Sequence, residues 1–302
     1  MTSGRAEPPV CDAGGMPESP EVQALVEDLG VRLAGREITD VDVIEFRVTK
    51  TRGRPPSSLV GQRLRGASRH GKHVDIAVGE SAHLVVSLGR HGWARYGEVG
   101  GDAPAPDAAA GDAPPTLIAF TLDDGRVLEF TDAGGWVSLG CFVVGAPTEV
   151  PAIAKLGPDP ADPGFSRADF DRAVAGRRKQ VKAVLQEQES LAGIGNAYSD
   201  EILHTAKVSP VEHAAALTPD ELDRLFESTV GVITRAIDAR SGVPIDGLKA
   251  AKVAAMRVHG RAGEACPVCG DAIRDFSFAS TTAQYCPTCQ TGGALLPLRS
   301  QE

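Results

Sequence analysis

No stretch of the 302 residues is apolar and long enough to span a membrane, and residues 1–15 contain no apolar run that would serve as a secretory signal or anchor. The chain also lacks an excess of positive charge. Its 31 Lys and Arg stand against 40 Asp and Glu, a net charge of −9 that argues against gripping nucleic acid through overall charge. Cysteines are few. Four of the six fall into one C-terminal pattern, while Cys11, in a loose leader, and Cys141, in a strand-like run, do not suggest a disulfide. A reducing cytoplasm fits.

The charge that is present is unevenly spread. Arg47, Lys50, Arg52, Arg54, Arg63, Arg65, Arg69 and Lys72 occur with no intervening Asp or Glu. Two smaller groups follow the same rule: Arg177, Arg178, Lys179 and Lys182, and Lys249, Lys252, Arg257 and Arg261. Opposed by an acidic stretch from Glu98 to Asp132, these clusters suggest one polarised face able to track phosphates.

Met16-Pro17-Glu18-Ser19-Pro20-Glu21-Val22 is the segment with the most chemistry. Proline alone has a secondary amine. If the chain began at Met16 and that Met were removed, the Pro17 nitrogen would be a free nucleophile beside the Glu18 carboxyl, suited to covalent amine catalysis. Preceded by Met16, the same nitrogen is an amide and cannot attack. The segment also opens a helix, with Ser19 as the expected N-cap, Pro20 in the first turn and Glu21 where the helix dipole favours an anion. Val22, Leu25, Val26, Leu29 and Leu33 repeat at helical spacing, and Gly35 can end the run.

Strand patterns follow over 38–43, 73–78, 84–88, 117–122, 127–130 and 136–144, with Asp124-Gly125 as a hairpin turn. Residues 97–115, nearly all Gly, Ala, Pro and Asp, read as a surface loop. A Pro-rich linker over 147–165 precedes helical patterns at 166–175, 181–188, 197–207 and 219–239, the last opened by a Thr218–Glu221 capping box. Between two of these lies Gly193-Ile194-Gly195-Asn196. Its glycines would let helix amides approach a phosphate, with Asn196 as a second donor, or they form a tight turn capped by Asn196.

Cys266, Cys269, Cys286 and Cys289 give C-x2-C-x16-C-x2-C, the spacing of a structural tetrahedral zinc site in a short hairpin. The expected architecture is α+β. It comprises a disordered leader (1–15) absent from the active form, a β-sandwich domain opened by a helix (16–146), the linker (147–165), a helical domain (166–255), a zinc-finger β-hairpin (256–293) and a tail (294–302).

Taken together, the Pro17–Val22 start, Gly71-Lys72 before a strand, Gly193–Glu201 and His259-Gly260-Arg261 followed by the four cysteines resemble the formamidopyrimidine-DNA glycosylase and endonuclease VIII family of base-excision repair enzymes. The resemblance runs from Met16 to about Gly293. It implies a helix-two-turn-helix in the helical domain, damaged DNA in the cleft between domains, a monomer at work on the bacterial nucleoid, and AP-lyase activity. It also implies roles. Pro17 would attack deoxyribose C1′, Glu18 would protonate the sugar ring oxygen, and Glu21 would lie near the lesion. Lys72 would bind the adjoining phosphate and assist β-elimination, and Lys182 and Asn196 would bind phosphate.

Some positions depart from the family pattern. Arg90 stands where the family often has the Met that fills the gap left by the flipped base. Gly135 and Trp136 align with the family's Arg-Phe pair, making Trp136 either an intercalating wedge or a core aromatic. Thr281 replaces the finger's expected arginine, putting δ-elimination and that phosphate grip in doubt. A lyase-dead homologue that binds damaged or kinked DNA is therefore the second reading.

Overall fold

A computed structural model describes residues 16–98, 113–278 and 281–296. The leader with Cys11, most of the 97–115 loop and the tail beyond residue 296 lie outside the described residues.

Helix α1 (Ser19–Leu33) buries Val22, Leu25, Val26, Leu29 and Leu33, the stripe its spacing predicts. Its N-cap is Glu18, one residue before the expected Ser19, and the Glu18 N–H donates to Glu21 Oε2 at 3.2 Å. The helix ends at Leu33, and Gly35 just beyond its C-cap has a φ of +79°, which suits a residue without a Cβ.

Eight strands follow: β1 (Ile38–Asp42), β2 (Leu64–His70), β3 (His73–Val78), β4 (Ala82–Ser87), β5 (Gly92–Glu98), β6 (Thr116–Leu122), β7 (Arg126–Asp132) and β8 (Gly140–Val144). They form two antiparallel four-stranded sheets in the orders β1-β6-β7-β5 and β2-β3-β4-β8. Side chains of α1 and both sheets share one core, including Leu25, Leu29, Ile76, Val86, Ile118 and Phe130. The expected strand over 136–144 starts only at Gly140. Asp132 Oδ2 accepts from the Ser138 and Leu139 N–H groups, which folds residues 133–139 into a loop.

Two stretches without a clear apolar alternation are also strands, β2 and β5. The 147–165 segment is packed rather than loose: it holds α2 (Pro151–Ala154), and Val150 and Ile153 bury against Val85 and Val144. Helices α3 (Arg167–Val174), α4 (Val181–Gln186), α5 (Asn196–Ala206) and α6 (Pro219–Arg240) build a second core around Phe170, Leu185, Tyr198, Leu203 and Leu225. Thr218 and Glu221 exchange the reciprocal capping bonds predicted for α6.

The segment after α6 crosses back to the first domain. Ile245 and Leu248, at the start of α7 (Leu248–Ala255), join the β-sandwich core, and Trp93 Nε1 donates to Ile245 O at 3.2 Å. Strands β9 (Arg274–Phe278) and β10 (Thr281–Tyr285) then pair as a hairpin before the short α8 (Pro287–Gln290). Gln290 Nε2 donates to Val208 O at 2.9 Å, which ties the hairpin to the helical domain.

Candidate active site

The expected catalytic segment meets the glycine turn across the domain junction. Ser19 N–H donates to Gly193 O at 3.0 Å, and the Glu18 carboxylate accepts from the Gly195 and Ala197 N–H groups, the latter at 3.0 Å. The anion at the N-terminus of α5 is thus Glu18 itself. A carboxylate of this chain occupies the two amides that one reading of the glycine turn offered to a phosphate. Gly195 is closely enclosed by two side chains. A Cβ there would lie 2.6 Å from Glu18 Cδ and 2.7 Å from Lys72 Nζ, so the carboxyl and the ammonium meet across the glycine.

Pro17 is buried, with half-buried Met16 ahead of it. Lys252 Nζ donates to Met16 O at 2.9 Å, and Lys72 Nζ lies 3.6 Å from Met16 Sδ. Lys252 also reaches Glu18 Oε1 at 3.4 Å and Glu21 Oε2 at 3.5 Å. Glu21 Oε1 in turn accepts from Tyr198 Oη at 2.6 Å and from Arg240 Nε at 2.9 Å. A carboxylate pair, three cations and a phenol therefore converge on the segment 16–21.

Protonation follows from this geometry. Burial pushes the Glu18 carboxyl up, yet the Lys252 and Lys72 ammoniums and the Gly195 N–H together hold it below its ordinary value. Glu18 rests as a carboxylate. Burial pushes Lys72 down, only partly opposed by Glu18, whereas for Lys252 the attraction of Glu21 and Glu18 outweighs burial and its ammonium is held charged.

Other candidates lie elsewhere. Lys182, expected on a phosphate, is fully buried and donates to Asn196 O at 3.1 Å, Ser199 Oγ at 2.8 Å and Asp200 Oδ1 at 2.5 Å. All three of its N–H donors are taken, so it braces α5 and has none left for a phosphate. Asn196 is the first residue of α5 rather than its cap, and its Oδ1 accepts from Gln186 Nε2 at 3.1 Å. Arg90 is exposed in the β4–β5 turn, with its backbone N–H on Ser138 Oγ. Trp136 is 87% exposed in the 133–139 loop, which removes the core-aromatic reading.

The polarised face is reduced by pairing across the fold. Arg47 binds Glu45, Arg54 faces Glu149, Arg63 faces Glu37, and Arg69 is buried on Asp159 at 2.5 Å. The acids missing from that run in sequence are supplied in space. Lys252 is the candidate site residue that sequence reasoning missed, having counted it in a basic cluster on a phosphate-tracking face. Its signal was present: it follows Leu248 by four residues on one helix face, so a buried Leu248 turns Lys252 inward as well.

In the C-terminal hairpin the four sulfurs lie within 4.8 Å of one another, with Cys266–Cys289 at 3.9 Å and Cys269–Cys286 at 3.3 Å. Zn–S bonds of about 2.3 Å at tetrahedral angles put sulfurs about 3.8 Å apart, so the cluster fits one zinc ion. Its small core of Val258, Ile273 and the cysteines has little else to hold it, which makes the zinc structural. Cys141 stands apart in β8, its thiol pushed up to about 12 by burial.

Comparison with known proteins agrees with this architecture. The N-terminal domain model of formamidopyrimidine-DNA glycosylase matches residues 16–136, its H2TH domain model matches 156–245, and the zinc finger found in FPG and IleRS matches 263–292. A formamidopyrimidine-DNA glycosylase of Symbiobacterium thermophilum is 33% identical, with 95% of this chain and 94% of that protein covered. The chain belongs to the formamidopyrimidine-DNA glycosylase family. A solved structure of Lactococcus lactis Fpg (MutM) with DNA containing an oxidized pyrimidine superimposes with a TM-score of 0.78 at 25% identity, over 91% of this chain and 100% of that one. An uncharacterized formamidopyrimidine-DNA glycosylase-like protein of Mycobacterium tuberculosis is 46% identical over 48% of this chain and 91% of its own length. Among the described residues, no helix of this family member is long and apolar enough to cross a membrane.

Proposed function

We propose that the chain is a base-excision DNA glycosylase with AP-lyase activity, working as a monomer on damaged duplex DNA in a bacterial cytoplasm. The N-terminal catalytic unit is residues 16–146, the DNA-gripping helical unit 166–255 and the finger 256–293. The observation that supports the reading is the approach of the carboxyl of Glu18, the residue next to Pro17, to the Lys72 ammonium across Gly195. Release of Met16 frees the Pro17 nitrogen. The neutral Pro17 amine attacks C1′. The damaged base leaves with the C1′–N bonding pair. Glu18, resting as a carboxylate, takes the proton left on the Pro17 nitrogen by the attack and gives it to the ring oxygen as the sugar opens, and the freed nitrogen lone pair closes the iminium. Loss of a C2′ proton expels the 3′-phosphate, with Lys72 beside it.

Asn196 contributes an amide to the DNA backbone, Lys182 acts only through α5, Arg90 fills the gap left by the flipped nucleotide, and exposed Trp136 is the wedge. With Thr281 at the finger's expected arginine position, cleavage stops at β-elimination.

The test is borohydride trapping on duplex DNA bearing an abasic site, comparing protein that starts at Pro17 with the full-length chain. A crosslink mapping to Pro17 and missing from the full-length form is the expected result. No crosslink in either form, with tight binding retained, would overturn the lyase reading and favour a DNA-binding homologue. That second reading draws on Met16, which keeps the Pro17 nitrogen an amide and occupies two lysines of the pocket.

A further inference from the structure

α7 brings a fixed cation to the reacting nitrogen. Lys252 Nζ is 2.9 Å from Met16 O, and standard peptide geometry puts a carbonyl oxygen about 2.2 Å from the next residue's nitrogen. The Lys252 ammonium is therefore no farther than about 5 Å from the Pro17 nitrogen. Leu248, fully buried in the β-sandwich core, and the Trp93–Ile245 bond anchor the segment that carries it. The Tyr198 ring, with its centroid 5.4 Å from Nζ, closes another side.

We infer that Lys252 is a positioning residue that keeps the Pro17 amine uncharged and nucleophilic, by holding a buried ammonium beside the site where a proton on that nitrogen would sit. This rests on the amine-catalysis reading above. The groups facing the site come from five parts of the fold: Glu18 and Glu21 at the start of α1, Lys72 from the β2–β3 turn, Tyr198 from α5, Arg240 from α6, and Lys252 from α7 with His259 beyond it. Three cations thus oppose two carboxylates. A proton on Pro17 would add a fourth cation to an already positive pocket. Without Lys252 the fixed charges balance, and that proton would be held more tightly. An amine near a second cation is a better nucleophile at neutral pH because more of it is unprotonated. Lys252 itself, paired with Glu18 and Glu21, keeps its proton and does not compete for C1′.

The test uses protein beginning at Pro17 with its prolines labelled by ¹⁵N. The Pro17 nitrogen is titrated by NMR, and the initial rate of borohydride trapping on abasic-site duplex is followed against pH. The wild-type midpoint is expected below the ordinary α-amino range of about 7.7–8. Lys252→Met should raise it by about one pH unit, and Lys252→Arg should leave it in place. A side chain that only shapes the pocket would lower the maximal rate without moving the midpoint. A wild-type midpoint in or above the ordinary range overturns the inference even if Lys252→Met does not fold, as does an unmoved midpoint in a folded Lys252→Met. Absence of a Pro17 crosslink in the wild type overturns the amine-catalysis reading itself, whereas a crosslink with an ordinary midpoint overturns only the role of Lys252.

Discussion

Glu21 and Arg240 form an ion pair of 2.9 Å in which neither side chain is more than 2% exposed, joining the first turn of α1 to the last turn of α6. The two residues are far apart in sequence, and their pair joins α1 to the helical domain alongside the Ser19–Gly193 and Glu18–Gly195 bonds. Removing one partner leaves the other charged and buried. Arg240→Met should therefore destabilise the protein by about 3–5 kcal/mol. Urea unfolding would measure it, and a loss below about 1 kcal/mol would show that the pair does not hold the domains.

Gly195 is the point at which added volume meets the chemistry directly. Gly195→Ala drives a methyl group into Glu18 and Lys72 while leaving the zinc hairpin untouched. Trapping on abasic DNA should fall by at least about 100-fold, the scale of a 1 Å misplacement of reacting groups. Zinc content should remain at one ion per chain. A trapping rate within a few-fold of wild type would remove Glu18 and Lys72 from the reaction.

The depressed Glu18 carboxyl gives stability a pH dependence of known sign. Its folded value lies below the ordinary value of 4.5, so its contribution is fully present above that pH and is lost as pH falls through the lower folded value. Glu18→Gln should be less stable than wild type near pH 7, and the gap should narrow below about pH 4.5. Urea midpoints at both pH values check this. A gap that stays constant would mean that Glu18 is not held as a carboxylate.

Zinc removal should act locally. A chelator is expected to release one ion per chain and to raise amide exchange in β9 and β10 while β3 and β4 stay protected, because the hairpin core shares no residue with the sandwich core. Exchange rising equally in both regions would mean that the finger is needed for the whole fold.

Much of this arrangement was legible in the sequence because it is written in local patterns. The α1 stripe, the α6 capping box and the cysteine spacing each specify their element without help from elsewhere. The missed elements lack such patterns. β2 reads Leu-Arg-Gly-Ala-Ser-Arg-His, with only Leu64 fully buried, and it is held by α1 and β3 rather than by its own alternation. α7 has Gly247 as its N-cap with no side-chain bond, so nothing in its sequence marks its start. Within the candidate site, Pro17, Glu18 and Lys72 are singled out by their chemistry, and the structure brings Glu18 and Lys72 together. The burial of Lys182 and Lys252 is not legible locally, because it depends on acceptors from other segments, Asp200 for one and the Glu18–Glu21 pair for the other.

The two tryptophans occupy opposite extremes of environment, Trp93 5% exposed against the α7 segment and Trp136 87% exposed on the 133–139 loop. They are the only indoles in the chain, so its fluorescence divides into a blue-shifted emission from Trp93 and a red-shifted one from Trp136. Trp136→Phe leaves an emitter that senses whether α7 stays seated beside the Glu18–Glu21 pair. Trp93→Phe leaves one that senses a base pair closing over the loop. The order in which α7 and the loop respond to DNA can thus be timed without attaching a dye.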